Sequence, residues 1–397
     1  MKEAKDVSEK PFDNLKPMTT DVVPIAIAER QARIEKARRL MVENHIDAIY
    51  LEAGSSLFYF TGIRWHRSER MTAAVIPVEG EIAYVCPAFE EARLRELIRF
   101  GDDVRVWEED ESPYERVASV LKERGIDRGK IGIEESVRFF LYDGIRRRTP
   151  RAEFVSADPV TIPCRVVKSA AEIALIQRAM DITIEAYKVS ITLLEEGMSQ
   201  DEFRENSVAA HRALGVEGHI GCQFGEYTAF PHGSKELTYL KEGDVVLMDG
   251  GCSVEGYQSD ISRTIVFGEP TKRQRVVWDL EKEAQAAAFE EAQIGAPFEA
   301  VDAAARKVIT DAGFGPDYKV PGLPHRTGHG IGIDIHEWHN VVRGNKIPLE
   351  SGMCFSNEPM IAIYGEFGVR LEDCVFMTPE GPRYFTEPSP SIEQPFA

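Results

Sequence analysis

Two acidic residues and their spacing raise the chemical question. In GDVVLMDGGCSVEGYQSD, residues 243–260, an apolar run (Val245, Val246, Leu247, Met248) ends in Asp249, and Asp260 follows eleven positions later. A strand that delivers a carboxylate at its end, with Gly250 and Gly251 behind it, suits a hairpin better than a solvated loop. The pattern then recurs. Asp249 stands six residues after Gly243 in Leu240-Lys241-Glu242-Gly243, and Glu358 stands six after Gly352 in Leu349-Glu350-Ser351-Gly352, 109 positions further on. Each acid is followed by another that opens an apolar strand, Asp260 before ISRTIVF and Glu372 before DCVFM. Two matching units with two acids each predict a pseudo-twofold domain whose carboxylates meet in the middle.

Between the copies lies HRTGHGIGIDIHEWH, residues 325–339, which carries His325, His329 and His336. Histidine is both a common metal ligand and the ordinary acid or base near neutral pH. Gly328 and Gly330 flank His329, which is expected to let the backbone approach whatever the imidazole binds. Four carboxylates with an imidazole do not make a structural zinc site, which favours thiolates and imidazoles in a closed tetrahedron. They suit two adjacent divalent ions bridged by carboxylates, with manganese, cobalt or zinc preferred over copper. Such a pair lowers the pKa of a water and stabilises a tetrahedral oxyanion. His45, His66, His211 and His219 are read as surface or core residues.

The chain that must position these groups has 397 residues, 43% hydrophobic and 28% charged, with a formal net charge of -19. That is enough for two domains with ample core. The acidic balance argues against nucleic acid and against an anionic membrane surface, and no run approaches the length of a membrane span. Six scattered cysteines without a CxxC pair read as buried free thiols in a reducing compartment, so the cytoplasm is expected.

Residues 1 to about 20 are polar and read as a loose arm. A helix is expected from about Ala28 to Glu43. Strands are expected at Ile46–Leu51, over SSLFYFTG (55–62), and as a pair around the Glu79-Gly80 turn. A helix follows EEDES and ends near Arg124-Gly125, and Ile131–Ile133 is a short strand. Pro159 and Pro163 punctuate the chain, so the domain boundary is placed near 160. Ser169 with Glu172 forms a capping box for a long helix running to about Glu196, and Ser199 with Glu202 opens the next one in the same way.

The motifs MDGG…GYQSDISRT, TGHGIGIDIHE, NEP and VRLED resemble those of the pita-bread metallopeptidases. That group includes methionine aminopeptidase, aminopeptidase P and prolidase, with creatinase as a metal-free relative. The likeness covers nearly all of residues 165–385. It implies an α/β (α+β) chain, with a creatinase-like N-terminal domain over 1–160 and a pita-bread catalytic domain over 161–397. It further implies that Asp249 chelates the first metal, that Asp260 and Glu372 bridge the two ions, and that His329 and Glu358 complete the second. Glu358 also matches the proton shuttle. His232, in AFPHG, matches a substrate-side histidine, His336 one that stabilises the tetrahedral intermediate, and His325 another active-site histidine of the proline-directed branch. Arg370 matches an arginine that orients the ligands or binds a substrate carboxylate.

The resemblance carries the expectation of a homodimer, in which Arg64 and Trp65 line a substrate pocket across the interface. The expected reaction is hydrolysis of Xaa-Pro peptides, most simply dipeptides. Longer Xaa-Pro-Xaa peptides, a small-molecule amidohydrolase or lyase reaction, and a non-catalytic binding role stay open. One departure stands out. The family's tyrosine four residues after the glutamate is Ala362 here, with Tyr364 two positions beyond.

Overall fold

A computed structural model describes residues 12–396. The chain divides into two units, Ile25–Arg165 and Val166–Ala397, and the described residues up to Pro24 belong with the second. The first eleven residues of the expected loose arm lie outside the described residues. Its later part is held in place: Met18 N donates to Leu214 O at 2.9 Å, and Arg178 grips both oxygens of Asp21 at 2.8 and 2.9 Å.

In the unit Ile25–Arg165, a six-stranded mixed sheet runs in the order Val104–Trp107, Ala83–Pro87, Ala73–Pro77, Ala48–Glu52, Lys130–Ile133, Glu153–Ser156. The helix Ile27–Glu43 and the strand Ala48–Glu52 fall where periodicity places them. SSLFYFTG, expected as a strand, is instead the helix Ser55–Thr61, closed by Gly62 in the left-handed region. A short apolar run buried on every side has no period to distinguish the two states. Leu57, Phe58, Tyr59 and Phe60 are all buried. Pro159 and Pro163 also fail to break the chain and lie within the helix Asp158–Val166. Pro159 takes a first-turn position, where a missing N–H costs nothing.

The other unit carries the paired acids and His325, His329 and His336. Both capping boxes are present, on the helices Ala170–Ile191 and Gln200–Ala213. The first of these helices ends five residues short of Glu196. Beyond it Gly197 turns back to donate its N–H to Leu240 O at 2.8 Å, and Leu240 N returns a bond to Met198 O at 2.8 Å. The same pair of bonds recurs 109 residues along the strand side. Gly295 N donates to Leu349 O and Leu349 N to Ala296 O, each at 2.9 Å, ahead of the helix Phe298–Asp311. The repeat read from Gly243 and Gly352 is thus a duplicated helix–turn–strand unit, with an equivalent backbone tie in each copy.

The two halves meet along their acid-bearing strands. Ile261–Val266 pairs antiparallel with Val245–Val254, and Asp373–Thr378 with Cys354–Asn357. Ser262 and Glu372 form a bridge between the halves, and Thr264 Oγ1 donates to Arg370 O at 2.7 Å. Beneath this seam Arg263 is fully buried. It donates to Ser262 O at 3.0 Å and to Glu372 O at 2.9 Å, and pairs with Asp373 at 2.8 Å. Asp373 is satisfied further by Thr386 at 2.6 Å and Gln285 at 3.1 Å. Both charges are therefore matched, as burial demands. Because truncating one partner leaves the other charge buried, Arg263→Ala is expected to cost ~3–5 kcal/mol of stability in urea denaturation. A loss within experimental error would show that the seam does not depend on this pair.

Candidate metal centre

Each acid reaches the seam by a local route. The strand Val245–Val254 runs straight through Asp249 instead of ending there. It can do so because Gly250 and Gly251 let other chain segments pass close: a Cβ on either would collide with the backbone oxygens of His219 and Ser259. Asp260 stands immediately before the strand Ile261–Val266, Glu358 immediately after Cys354–Asn357, and Glu372 immediately before Asp373–Thr378. His329 is the centre of the three-residue strand Gly328–Gly330. The glycines on either side serve the neighbouring strands rather than a bound group, since a Cβ there would strike Ser356 O or Trp338 O.

The five expected ligands come together. Donor atoms of Asp260, His329 and Glu372 all lie within 4.8 Å of one another. His329 Nε2 stands 3.1 Å from Glu358 Oε1 and 3.7 Å from Asp260 Oδ2. Its Nδ1 donates to Gly330 O at 3.0 Å, which fixes the ring with Nε2 towards the acids. Asp249 joins through Ser262, whose Oγ lies 3.0 Å from Asp249 Oδ1 and 2.7 Å from Glu372 Oε2. Arg370 completes the surround: it pairs with Asp249 at 2.7 Å, donates from Nε to Ser262 Oγ at 3.0 Å and from Nη1 to Pro231 O at 2.9 Å. Asp249 is the most open acid, its side chain 43% exposed, whereas those of Asp260 and Glu358 are 14% and 12%.

Crowding shapes the protonation. Burial, reinforced by the charge of Asp249, pushes Asp260 up to about 8. Burial and the charges of Asp260 and Glu358 push Glu372 well above the carboxylate range. Burial would raise Glu358 too, but the hydrogen bond and charge of His329 overcome it and hold it low. Burial works against a charged His329, and Glu358 more than offsets it. Acids that hold protons only because cations are not balancing them are the expected behaviour of divalent-ion ligands, which shed those protons on binding. Glu372 Oε1 fits the same reading, being buried with no hydrogen-bond partner. An oxygen-rich set with one imidazole suits divalent ions.

The other expected residues fall around this cluster. His336 is exposed and packs edge-on to His329, ring centroids 4.2 Å apart. Burial of one face and the charge of His329 lower its pKa. His232 is exposed, next to the Pro231 carbonyl held by Arg370, and its charge reaches His336. His325 turns Nδ1 to Arg326 O at 2.6 Å, leaves Nε2 buried and unpartnered, and has its pKa lowered by burial. Arg64 and Trp65 belong to the Ile25–Arg165 unit, Arg64 lying 4.7 Å from the Phe58 ring centre and Trp65 under Arg93 at 5.0 Å. Ala362 is buried in the strand Met360–Ile363 and tied to Gly322 by bonds of 3.0 and 3.1 Å. Tyr364 is exposed, its ring stacked on Phe230 with centroids 5.4 Å apart.

Ser262 and Ser356 were not singled out by spacing. Ser262 links Asp249, Glu372 and Arg370. Ser356 donates to Glu358 Oε1 at 3.0 Å and accepts from His329 N at 3.0 Å. Each lies two residues from an acid, so on an extended chain it shares that acid's face. A small hydroxyl at i±2 of an acid, within an otherwise apolar strand, is the signal that would have found both.

Comparison with known proteins agrees with this geometry. Residues 174–379 match the model of metallopeptidase family M24, and residues 33–167 that of the creatinase/prolidase N-terminal domain. A Lactobacillus helveticus Xaa-Pro dipeptidase is 33% identical over 368 residues, spanning 89% of this chain and 96% of that protein. Among solved structures, the prolidase of Thermococcus sibiricus superposes with a TM-score of 0.83 at 30% identity, covering 90% of this chain and 97% of that one. The dipeptidase PepE of Mycobacterium ulcerans does so with 0.86 at 29%, covering 94% and 100%. An intact carboxylate–imidazole cluster at the seam of a duplicated domain, and family models that account for both units, make the chain a member of metallopeptidase family M24 with a creatinase/prolidase-type N-terminal domain.

Proposed function

We propose that the protein hydrolyses the Xaa-Pro bond of dipeptides with two divalent ions, manganese or cobalt being favoured and zinc compatible. The observation that carries this is the convergence of Asp260, His329 and Glu372, with Glu358 bonded to His329 and Asp249 tied in through Ser262. Its relatives include enzymes named Xaa-Pro dipeptidase and prolidase. Asp249, Asp260 and Glu372 would hold one ion, and Asp260, Glu372, His329 and Glu358 the other. Bound there, the ions supply an acidified water and Lewis-acid polarisation of the scissile carbonyl.

The remaining work falls to side chains. Glu358, held ionised by His329, accepts the proton of the attacking water and delivers it to the proline nitrogen as the bond breaks. That delivery is essential because the leaving nitrogen is a tertiary amide with no proton of its own. His336, biased to the neutral form, donates a hydrogen bond as charge builds on the carbonyl oxygen, whereas His325, whose Nδ1–H is committed to Arg326 O, offers its bare Nε2 as an acceptor to a donor of the substrate. His232 stands on the substrate side. Arg370, committed to Asp249, Ser262 and Pro231, orients the ligand shell and leaves the substrate carboxylate to other groups. The enzyme works as a cytoplasmic homodimer, with Arg64 and Trp65 of one subunit contributing to the substrate pocket of the other. Six free, buried cysteines support a reducing compartment.

Glu358→Gln is expected to lower kcat by ~10²–10⁴-fold. A panel with added manganese tests the substrate: apolar Xaa-Pro dipeptides should be cleaved faster than Xaa-Pro-Xaa tripeptides or Xaa-Ala. Faster tripeptide cleavage would make it an aminopeptidase, and inactivity towards every member would point to a small-molecule hydrolase or lyase. Because protons and ions compete for the same oxygens, manganese affinity should rise as pH is raised towards about 8, the value to which Asp260 is pushed. Calorimetry in buffers of different ionisation enthalpy should show protons released on binding. Affinity independent of pH would contradict the proposed ligand set.

A further inference from the structure

Glu337, the last residue of GHGIGIDIHE, belongs neither to the metal ligands nor to the groups around the substrate. Glu337 directly follows His336, yet its side chain turns inward and is 5% exposed. Its Oε1 accepts the N–H of Ile333 at 2.8 Å and of Asp334 at 3.1 Å, and its Oε2 takes Lys168 Nζ at 2.9 Å. Lys168 is as deeply placed, its side chain 1% exposed. The lysine's own backbone N–H is fixed to Gly352 O at 2.8 Å, in the turn that leads to Glu358. On its other side the segment 331–336 is held by Gln258, through N to Gly332 O at 2.8 Å and Nε2 to Ile333 O at 3.0 Å. Gln258 lies two residues before Asp260. The segment is therefore anchored on one side to Lys168, itself tied to Gly352 six residues before Glu358, and on the other to Gln258.

We propose that the buried Lys168–Glu337 pair is a latch that fixes the segment 331–336 and so sets His336 against His329, making both members positioning residues for the reaction. This rests on the reading of His336 given above. A buried ion pair contributes little net stability over an apolar pair of the same shape, so stability alone gives it no reason to exist. What it supplies is direction. Glu337 gathers two successive N–H groups at one oxygen, which curls the backbone at Ile333 and Asp334. Lys168 holds the other oxygen so that the carboxylate cannot swing out to water. His336 is exposed, so its place above His329 depends on the backbone that carries it. Glu337 is not a group that reacts, because both its oxygens are engaged and its side chain is shut away from the substrate side.

The test is a mutant cycle with manganese-loaded protein and an apolar Xaa-Pro dipeptide, using Lys168→Met, Glu337→Gln, His336→Ala and each latch variant combined with His336→Ala. Each latch variant is expected to lower kcat by ~10–100-fold with KM little changed, as misplacement of a group by about an ångström does. In the His336→Ala background the same changes should have almost no further effect on kcat. Independently of turnover, amide exchange in the metal-free protein should accelerate at Ile333 and Asp334 in Lys168→Met. If Lys168→Met folds too poorly to assay, Glu337→Gln answers the question, since its amide oxygen still accepts the two N–H groups while the charge pair is lost. The proposal is overturned if the latch variants lower only the melting temperature, if their effects multiply in full with that of His336→Ala, or if His336→Ala itself leaves kcat unchanged. Failure of the dipeptidase reading would look different: the unmodified enzyme would cleave no Xaa-Pro substrate.

Discussion

Like charges taken out of water dominate this molecule. Four carboxylates converge at one seam, three of them largely buried, and at an effective dielectric far below that of water they cannot all ionise side by side. Most of the surrounding hardware answers that constraint. Arg370 neutralises Asp249 from one side, Ser262 offers one proton to two acids, and His329 holds Glu358 as a charged partner. Below them Arg263 and Asp373 balance each other while clamping the backbones of Ser262 and Glu372. The same repulsion that destabilises the metal-free site makes it avid for divalent ions.

Duplication explains how one chain builds such a place. Each copy of the helix–turn–strand unit is closed by the same reciprocal backbone bonds, Gly197 and Met198 with Leu240, Gly295 and Ala296 with Leu349. Each then delivers an acid six residues after a glycine, Asp249 after Gly243 and Glu358 after Gly352. The symmetry stops at the imidazole. His329 comes from Gly328–Gly330, which pairs with Cys354–Asn357 as Gly218–Phe224 pairs with Val245–Val254, and its arrival separates Glu358, which it holds low, from Glu372, which burial raises. Two acids of the same half thus acquire different chemistry.

Much of this could be read from residue order. The acids, the histidine, the repeat and the capping boxes of Ser169 and Ser199 are local patterns with a physical cause, and the structure contains them. Where reading failed, the deciding interactions were distant. SSLFYFTG was helical because it is buried all round, a property of its neighbours rather than of its own period. The glycines beside His329 made room for Ser356 and Trp338 rather than for a ligand. Ser262, Ser356 and the Lys168–Glu337 pair joined positions far apart in the chain, up to 169 residues in the last case. Such contacts leave little mark on local sequence.

The seam between the halves also has a consequence for biosynthesis. The ligands are spread from Asp249 to Glu372, and the clamp residue Asp373 follows the last of them. A chain emerging from the ribosome in order presents first two acids alone, with no imidazole and no opposing strand. The second half cannot lend its carboxylates until Cys354–Asn357 has paired with Asp373–Thr378. A complete donor set therefore exists only once residue 373 has been made and the two halves have paired, and truncation shortly before residue 372 would remove both Glu372 and the clamp residue Asp373.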